Sequence, residues 1–156
     1  MPHLRLQVPE EWLREDFKAA TGFDAKKLLD HLVQVVAGLR MEDPVGNTAD
    51  GRPIEPRTVP FINLINLKHA IEPLYYAHVA GDPSKRFLHV TLAAGNDTLG
   101  RTAEVRMQVA QVLGDEIDKF VGDLPGLASV TTWVQDINRD RGYTTTAERK
   151  KKRAQG

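Results

Sequence analysis

Apolar and polar residues alternate in Leu4-Arg5-Leu6-Gln7-Val8, which predicts a half-buried strand over 3–8, almost at the start of the chain. Pro9-Glu10-Glu11-Trp12-Leu13 then reads as the start of a helical turn, interrupted at Thr21-Gly22. Asp24 suits an N-cap, and Leu28, Leu29, Leu32, Val33 and Val36 form one apolar stripe, so a helix is expected over 24–38. The run Phe61-Ile62-Asn63-Leu64-Ile65-Asn66-Leu67-Lys68 is apolar and rich in branched residues; it predicts a buried strand over 59–68 despite imperfect alternation. Arg86-Phe87-Leu88-His89-Val90-Thr91-Leu92 predicts another strand, over 86–93. Thr102 caps a second helix over 102–121, with Val105, Val109, Val112, Leu113, Ile117 and Phe120 as its buried face, and Val130-Thr131-Thr132-Trp133-Val134 marks a last strand over 129–135.

The order is strand, helix, strand, and then the same again. A helical crossover between strands implies parallel pairing in a right-handed βαβ unit. Two such units predict an α+β domain: a four-stranded mixed sheet with two helices on one face. The opposite face is expected to be apolar and to be closed by oligomerisation. Residues 41–60 hold four prolines together with Gly46, Asn47 and Gly51, and such a long connection in a small domain tends to be functional or mobile. Gly81-Asp82-Pro83-Ser84 and Gly95-Asn96-Asp97 read as turns.

At 156 residues the chain fits one domain, assigned to 1–139, followed by a tail over 140–156. There is no cysteine, so neither a disulfide framework nor a thiolate metal site is available. Lys plus Arg equals Asp plus Glu at 21 each, which gives no overall attraction to nucleic acid or membrane. No apolar run has the length of a membrane span and the N-terminus lacks a signal-peptide pattern, so a soluble cytoplasmic protein is expected. The tail, Glu148-Arg149-Lys150-Lys151-Lys152-Arg153, has no apolar period and reads as a solvated or disordered end; one short basic tail on a neutral domain is weak ground for nucleic-acid contact.

Pro2 gives the first strand a chemical meaning. Initiator methionine is usually removed before proline, which would leave Pro2 as a secondary amine pinned by the strand. An α-amino group titrates at roughly 7.7 to 8.0, and desolvation or a nearby cation lowers that, so a fixed amine here suits general-base catalysis. The alternative is a harmless first residue of a strand, where the missing N–H costs nothing. His31, beside its helix stripe, reads as a solvated or capped side chain and is assigned no role, and His89, within a buried-looking strand, is read as structural.

With Met1-Pro2-His3 at the front, Phe87-Leu88-His89-Val90-Thr91-Leu92 in the second unit and Gly100-Arg101-Thr102-Ala103-Glu104-Val105-Arg106 leading into its helix, the chain resembles the tautomerase superfamily. Within it the carboxymethyl-hydroxymuconate isomerase branch is the most similar. The resemblance implies loss of Met1, proton transfer by the proline nitrogen next to a substrate carbonyl, no cofactor or metal, and a homotrimer with active sites at subunit boundaries. It points to Pro2 as the catalytic base and to Arg101 as the grip on a substrate carboxylate, since a guanidinium offers two parallel hydrogen bonds. The family's usual arginine at the start of the second strand is missing, and Lys68 falls near that place. Arg57, Tyr75 and Tyr76 are further candidates for the pocket. The implied substrate is an unsaturated keto or hydroxy acid; a hydratase or dehalogenase variant, or a trimeric scaffold without turnover, are the alternatives.

Overall fold

The strand β1, His3–Pro9, takes an inner place in a four-stranded sheet because both of its edges find partners. On one side it pairs in parallel with β4, Lys68–Leu74, from His3 opposite Lys68 to Pro9 opposite Leu74. On the other it pairs antiparallel with β5, Arg86–Ala94, which pairs in parallel with β6, Leu127–Asp136. The spatial order is β4-β1-β5-β6. The computed structural model describes residues 2–43, 47–55, 57–62, 67–75, 84–94, 101–136 and 146–156; the turn expected at 95–97 and, apart from Ser84, the one expected at 81–84 lie outside them.

Between β1 and β4 run a 3-10 turn at Glu10–Leu13, helix α1 (Glu15–Thr21) and helix α2 (Ala25–Gly38). Gly22 ends α1 in the left-handed region at φ 77°, where a side chain would be strained. Asp24 caps α2 by accepting hydrogen bonds from the Lys26 and Lys27 amides at 3.0 and 3.3 Å. Between β5 and β6 runs α3, Ala103–Val121, capped by the Thr102 hydroxyl, which accepts from the Val105 amide at 3.2 Å. Each unit is therefore a parallel strand pair joined by a helix, as the pattern of the chain predicts.

Leu4, Leu6 and Val8 of β1 and Leu88, Val90 and Leu92 of β5 are fully buried on one face of the sheet. Leu28, Leu32 and Val36 of α2 and Val109, Leu113 and Ile117 of α3 join them in a single core, which places both helices on that face. The helices also meet directly, His31 Nε2 lying 2.8 Å from Glu116 Oε2 and the His31 ring 4.9 Å from that of Phe120. Trp12 stacks on Phe17 and meets Phe23 edge to face, closing the core under the 3-10 turn.

Four expectations need correction. The strand expected over 59–68 is displaced: Thr58–Pro60 forms β3, which pairs with β2 (Arg40–Glu42) in a separate small ribbon, and the sheet strand begins only at Lys68. Phe61 and Ile62 are apolar because they enter the core as the chain leaves β3, and apolarity alone does not distinguish that from a buried strand; residues 63–66 lie outside the described residues. On α3, Val112 and Phe120 remain about 40% exposed, because Val109, Leu113, Ile117 and Val121 follow a narrower stripe. The face opposite the helices is mixed and not apolar: His3, Arg5 and Gln7 share it with Lys68, Glu72, Phe87, His89, Thr91 and Trp133. Finally, the tail expected to lack structure carries helix α4, Thr146–Gln155, whose Ala, Glu, Gln, Lys and Arg residues favour local helical bonding and whose side chains from Arg149 on are exposed.

Candidate active site

Strand directions decide what meets at each end of the sheet. β1 and β4 begin, and β5 and β6 finish, at the same edge. Pro2 stands at that edge, half-buried, and its carbonyl accepts a hydrogen bond from the Lys68 amide at 3.1 Å. The residue before β1 is thereby held by β4 in the centre of the sheet. Lys68 is the first residue of β4 and pairs with His3, so its side chain and that of His3 project to the same, helix-free face.

Burial first, and then positive neighbours, the N-terminal amine followed by Arg5 and Lys68, hold the His3 imidazole below its usual range.

Arg101 lies where the chain comes off β5 toward α3, and it is half-buried. Its Nε donates to the Phe61 carbonyl at 2.8 Å, and its guanidinium carbon sits 5.5 Å from the centroid of the Phe61 ring. Phe61 is in turn fixed, fully buried and with its amide donating to the Leu39 carbonyl at 3.0 Å, at the C-terminal end of α2. The chain from α2 to β4 and the chain from β5 to α3 are thus tied together at the end of the sheet where β1 begins. Pro2, Lys68 and Arg101 all belong to that end.

Other expected residues fall elsewhere. Arg57 forms an ion pair with Asp43 at 2.6 Å on the exposed side of the β2–β3 ribbon and is 72% exposed. Tyr75 follows the far end of β4 and is 76% exposed; seven residues at about 3.3 Å each separate it from Lys68 by about 23 Å. Tyr76 lies outside the described residues. His89 is half-buried on the helix-free face, with its ring parallel to that of Phe87, so it belongs to the open side of the sheet and not to the core. His31 is taken up in the bridge between α2 and α3. Sequence reasoning missed Phe61 as the support of Arg101 and His3 as the neighbour of Lys68, because both depend on long-range pairing that no local pattern signals.

No protein-family model and no curated protein matches the sequence. Among solved structures, that of 5-carboxymethyl-2-hydroxymuconate delta-isomerase superposes with a TM-score of 0.60 at 13% identity, over 94% of this chain and 87% of that one. A 5-carboxymethyl-2-hydroxymuconate isomerase from Deinococcus radiodurans R1 superposes more loosely, with a TM-score of 0.49 at 17% identity over 92% of this chain and 88% of that one. The paired βαβ units, their mixed sheet and the two helices on one face thus give this chain the fold of 5-carboxymethyl-2-hydroxymuconate delta-isomerase, at an identity that speaks for the fold alone.

Proposed function

We propose that the protein is an isomerase of the tautomerase type, in which the amine of Pro2, exposed by loss of Met1, moves a proton within an unsaturated keto or hydroxy acid. The observation that carries this reading is the position of residue 2: at the head of an inner strand, anchored to β4, beside Lys68 and at the same end of the sheet as Arg101. In its neutral form the amine takes a proton from the carbon next to the substrate carbonyl, and the electron pair moves into an enolate. The ammonium then returns the same proton to a carbon further along the conjugated system. No net proton is consumed. Arg101 and Lys68 oppose the negative charge of the substrate carboxylate and of the developing enolate, which is where fixed cations contribute most. The homotrimer is part of the proposal, since the helix-free face with Phe87, His89 and half-exposed Trp133 offers a surface for a second copy.

Two observations favour a binding or scaffold protein as the second reading. A lysine at the head of β4 is a point charge without the fork geometry of arginine, and the Nε of Arg101 is already engaged by Phe61.

Intact mass measurement and kinetics separate the two readings. The isomerase reading expects a chain lacking Met1, and kcat/KM toward unsaturated keto acids that falls as pH drops below the amine pKa, at or below roughly 7.7, because the base must be neutral. A chain that keeps Met1, or a panel of keto and enol acids without turnover, leaves the scaffold reading in its place. Arg101→Ala is expected to raise KM and lower kcat together, because a carboxylate grip acts in ground and transition states alike.

A further inference from the structure

Helix α4 places the strongest charge in the molecule on an element that the proposed active site does not use. Arg149, Lys150, Lys151, Lys152 and Arg153 are consecutive and exposed. Five of the 21 cationic residues and one of the 21 acidic ones fall in 146–156, so this segment is +4 while residues 1–145, with 16 cations against 20 acids, are −4. The neutral total hides a separation of charge.

The helical form decides what such a run can bind. Consecutive residues on an α-helix are turned by about 100°, so five in a row distribute cations around the whole circumference. Like charges three and four positions apart repel, here Arg149 with Lys152 and Arg153, and Lys150 with Arg153. A helix of ten residues is marginal by itself in water, and α4 has only Ala147 and Ala154 as apolar residues. Among the described residues, Lys150, Lys151, Lys152 and Arg153 enter no ion pair that would offset this repulsion.

We infer that α4 is a docking element for duplex nucleic acid, held by the phosphates. A flat anionic membrane would neutralise one side of the helix and would need an apolar face to hold it there, which α4 lacks. The groove of a duplex is about 12 Å wide and presents phosphates on both walls, so it admits a helix and meets cations on several sides at once. The binding is independent of base sequence, because lysines and arginines facing phosphates read charge and not base edges.

The test is fluorescence anisotropy of the full chain with a labelled duplex of mixed sequence. Engagement of all five cations gives a slope of log K against log salt of about −4.5, a loss of roughly 10² to 10³-fold in affinity between 50 and 200 mM salt. The combined variant Lys150→Gln, Lys151→Gln, Lys152→Gln keeps good helix formers and should lower the slope by about 2.7. Its unfolding curve should match the wild type, since these side chains are outside the core. Absence of duplex binding at 50 mM salt overturns the inference, and so does equal binding by the variant, which would place the contact on the body of the protein. Binding to vesicles rich in anionic lipid that equals or exceeds duplex binding at the same salt overturns it in favour of a membrane surface.

Discussion

The two βαβ units of the sheet use the same plan with different amounts of chain. The second is direct: among the described residues β5, α3 and β6 follow one another with no further element between them, and from Phe87 on β5 alternates between half-buried and buried positions. The first is interrupted twice, by the 3-10 turn and α1 before α2 and by the β2–β3 ribbon before β4. Its second strand is also poor in burial; β4 lies at the edge of the sheet with Pro73 inside it and Ile71 only half-buried. Edge strands tolerate proline and polar residues because one side makes no ladder. Both units bury an inner strand and a helix in the one core, and the interrupted one also supplies the N-terminal proline, Lys68 and, through Phe61, the support of Arg101.

That division is open to experiment. The largest expected effect is on activity alone: Pro2→Ala should lower turnover by roughly 10² to 10⁴, the range of a general acid or base, with the unfolding midpoint unchanged. Equal activity of wild type and variant would remove chemistry from the first unit. Next, Leu92→Ala, in the fully buried row of β5, should destabilise by about 2–5 kcal/mol in chemical denaturation. Ile71→Ala, its counterpart on the edge strand, should cost only about 1 kcal/mol, because less apolar area leaves water there. A cost for Ile71→Ala as large as that for Leu92→Ala would show that the edge is packed more tightly in the assembled protein than in one chain.

The smallest effect concerns the link between the units. Arg86, first residue of β5, forms an ion pair with Glu11 in the 3-10 turn of the first unit. Burial works to raise the Glu11 carboxyl, but the hydrogen bond from Arg86 and the nearby positive charges outweigh it and hold the carboxyl below its ordinary value. A depressed carboxylate pKa gives stability that is complete above the unfolded value of 4.5 and is lost as pH falls through the folded value. With Glu11 and Arg86 partly exposed, solvent screening keeps the contribution to about 1 kcal/mol or less. Unfolding of Glu11→Gln between pH 6 and pH 3 should show a shallower acid loss than the wild type; parallel curves would mean that the pair does not link the units.

The legibility of the chain follows the same contrast. β1, α2, β5, α3 and β6 were readable because each has one buried face whose period matches its geometry, and because Asp24 and Thr102 are local caps that need no tertiary partner. β4 was not readable. Lys68-His69-Ala70-Ile71-Glu72-Pro73-Leu74 has no apolar alternation, and it becomes a strand only because the open edge of β1 accepts it. Phe61 and Ile62 misled for the complementary reason: their apolarity serves the core beneath Arg101 and not a ladder.

The sequence by itself determined the two βαβ units, the caps of their helices and an N-terminal strand beginning just after a proline, because these rest on local periodicity and on bonds between residues close in the chain. Only the tertiary structure decided which residues stand around that proline. Lys68 arrives through a parallel register across 65 residues of chain, and Arg101 is positioned by a carbonyl 40 residues away, and neither distance leaves a trace in composition or period. Long-range pairing is chosen by whichever edge and cavity remain unfilled once the local elements have packed, and that is a property of the assembled core.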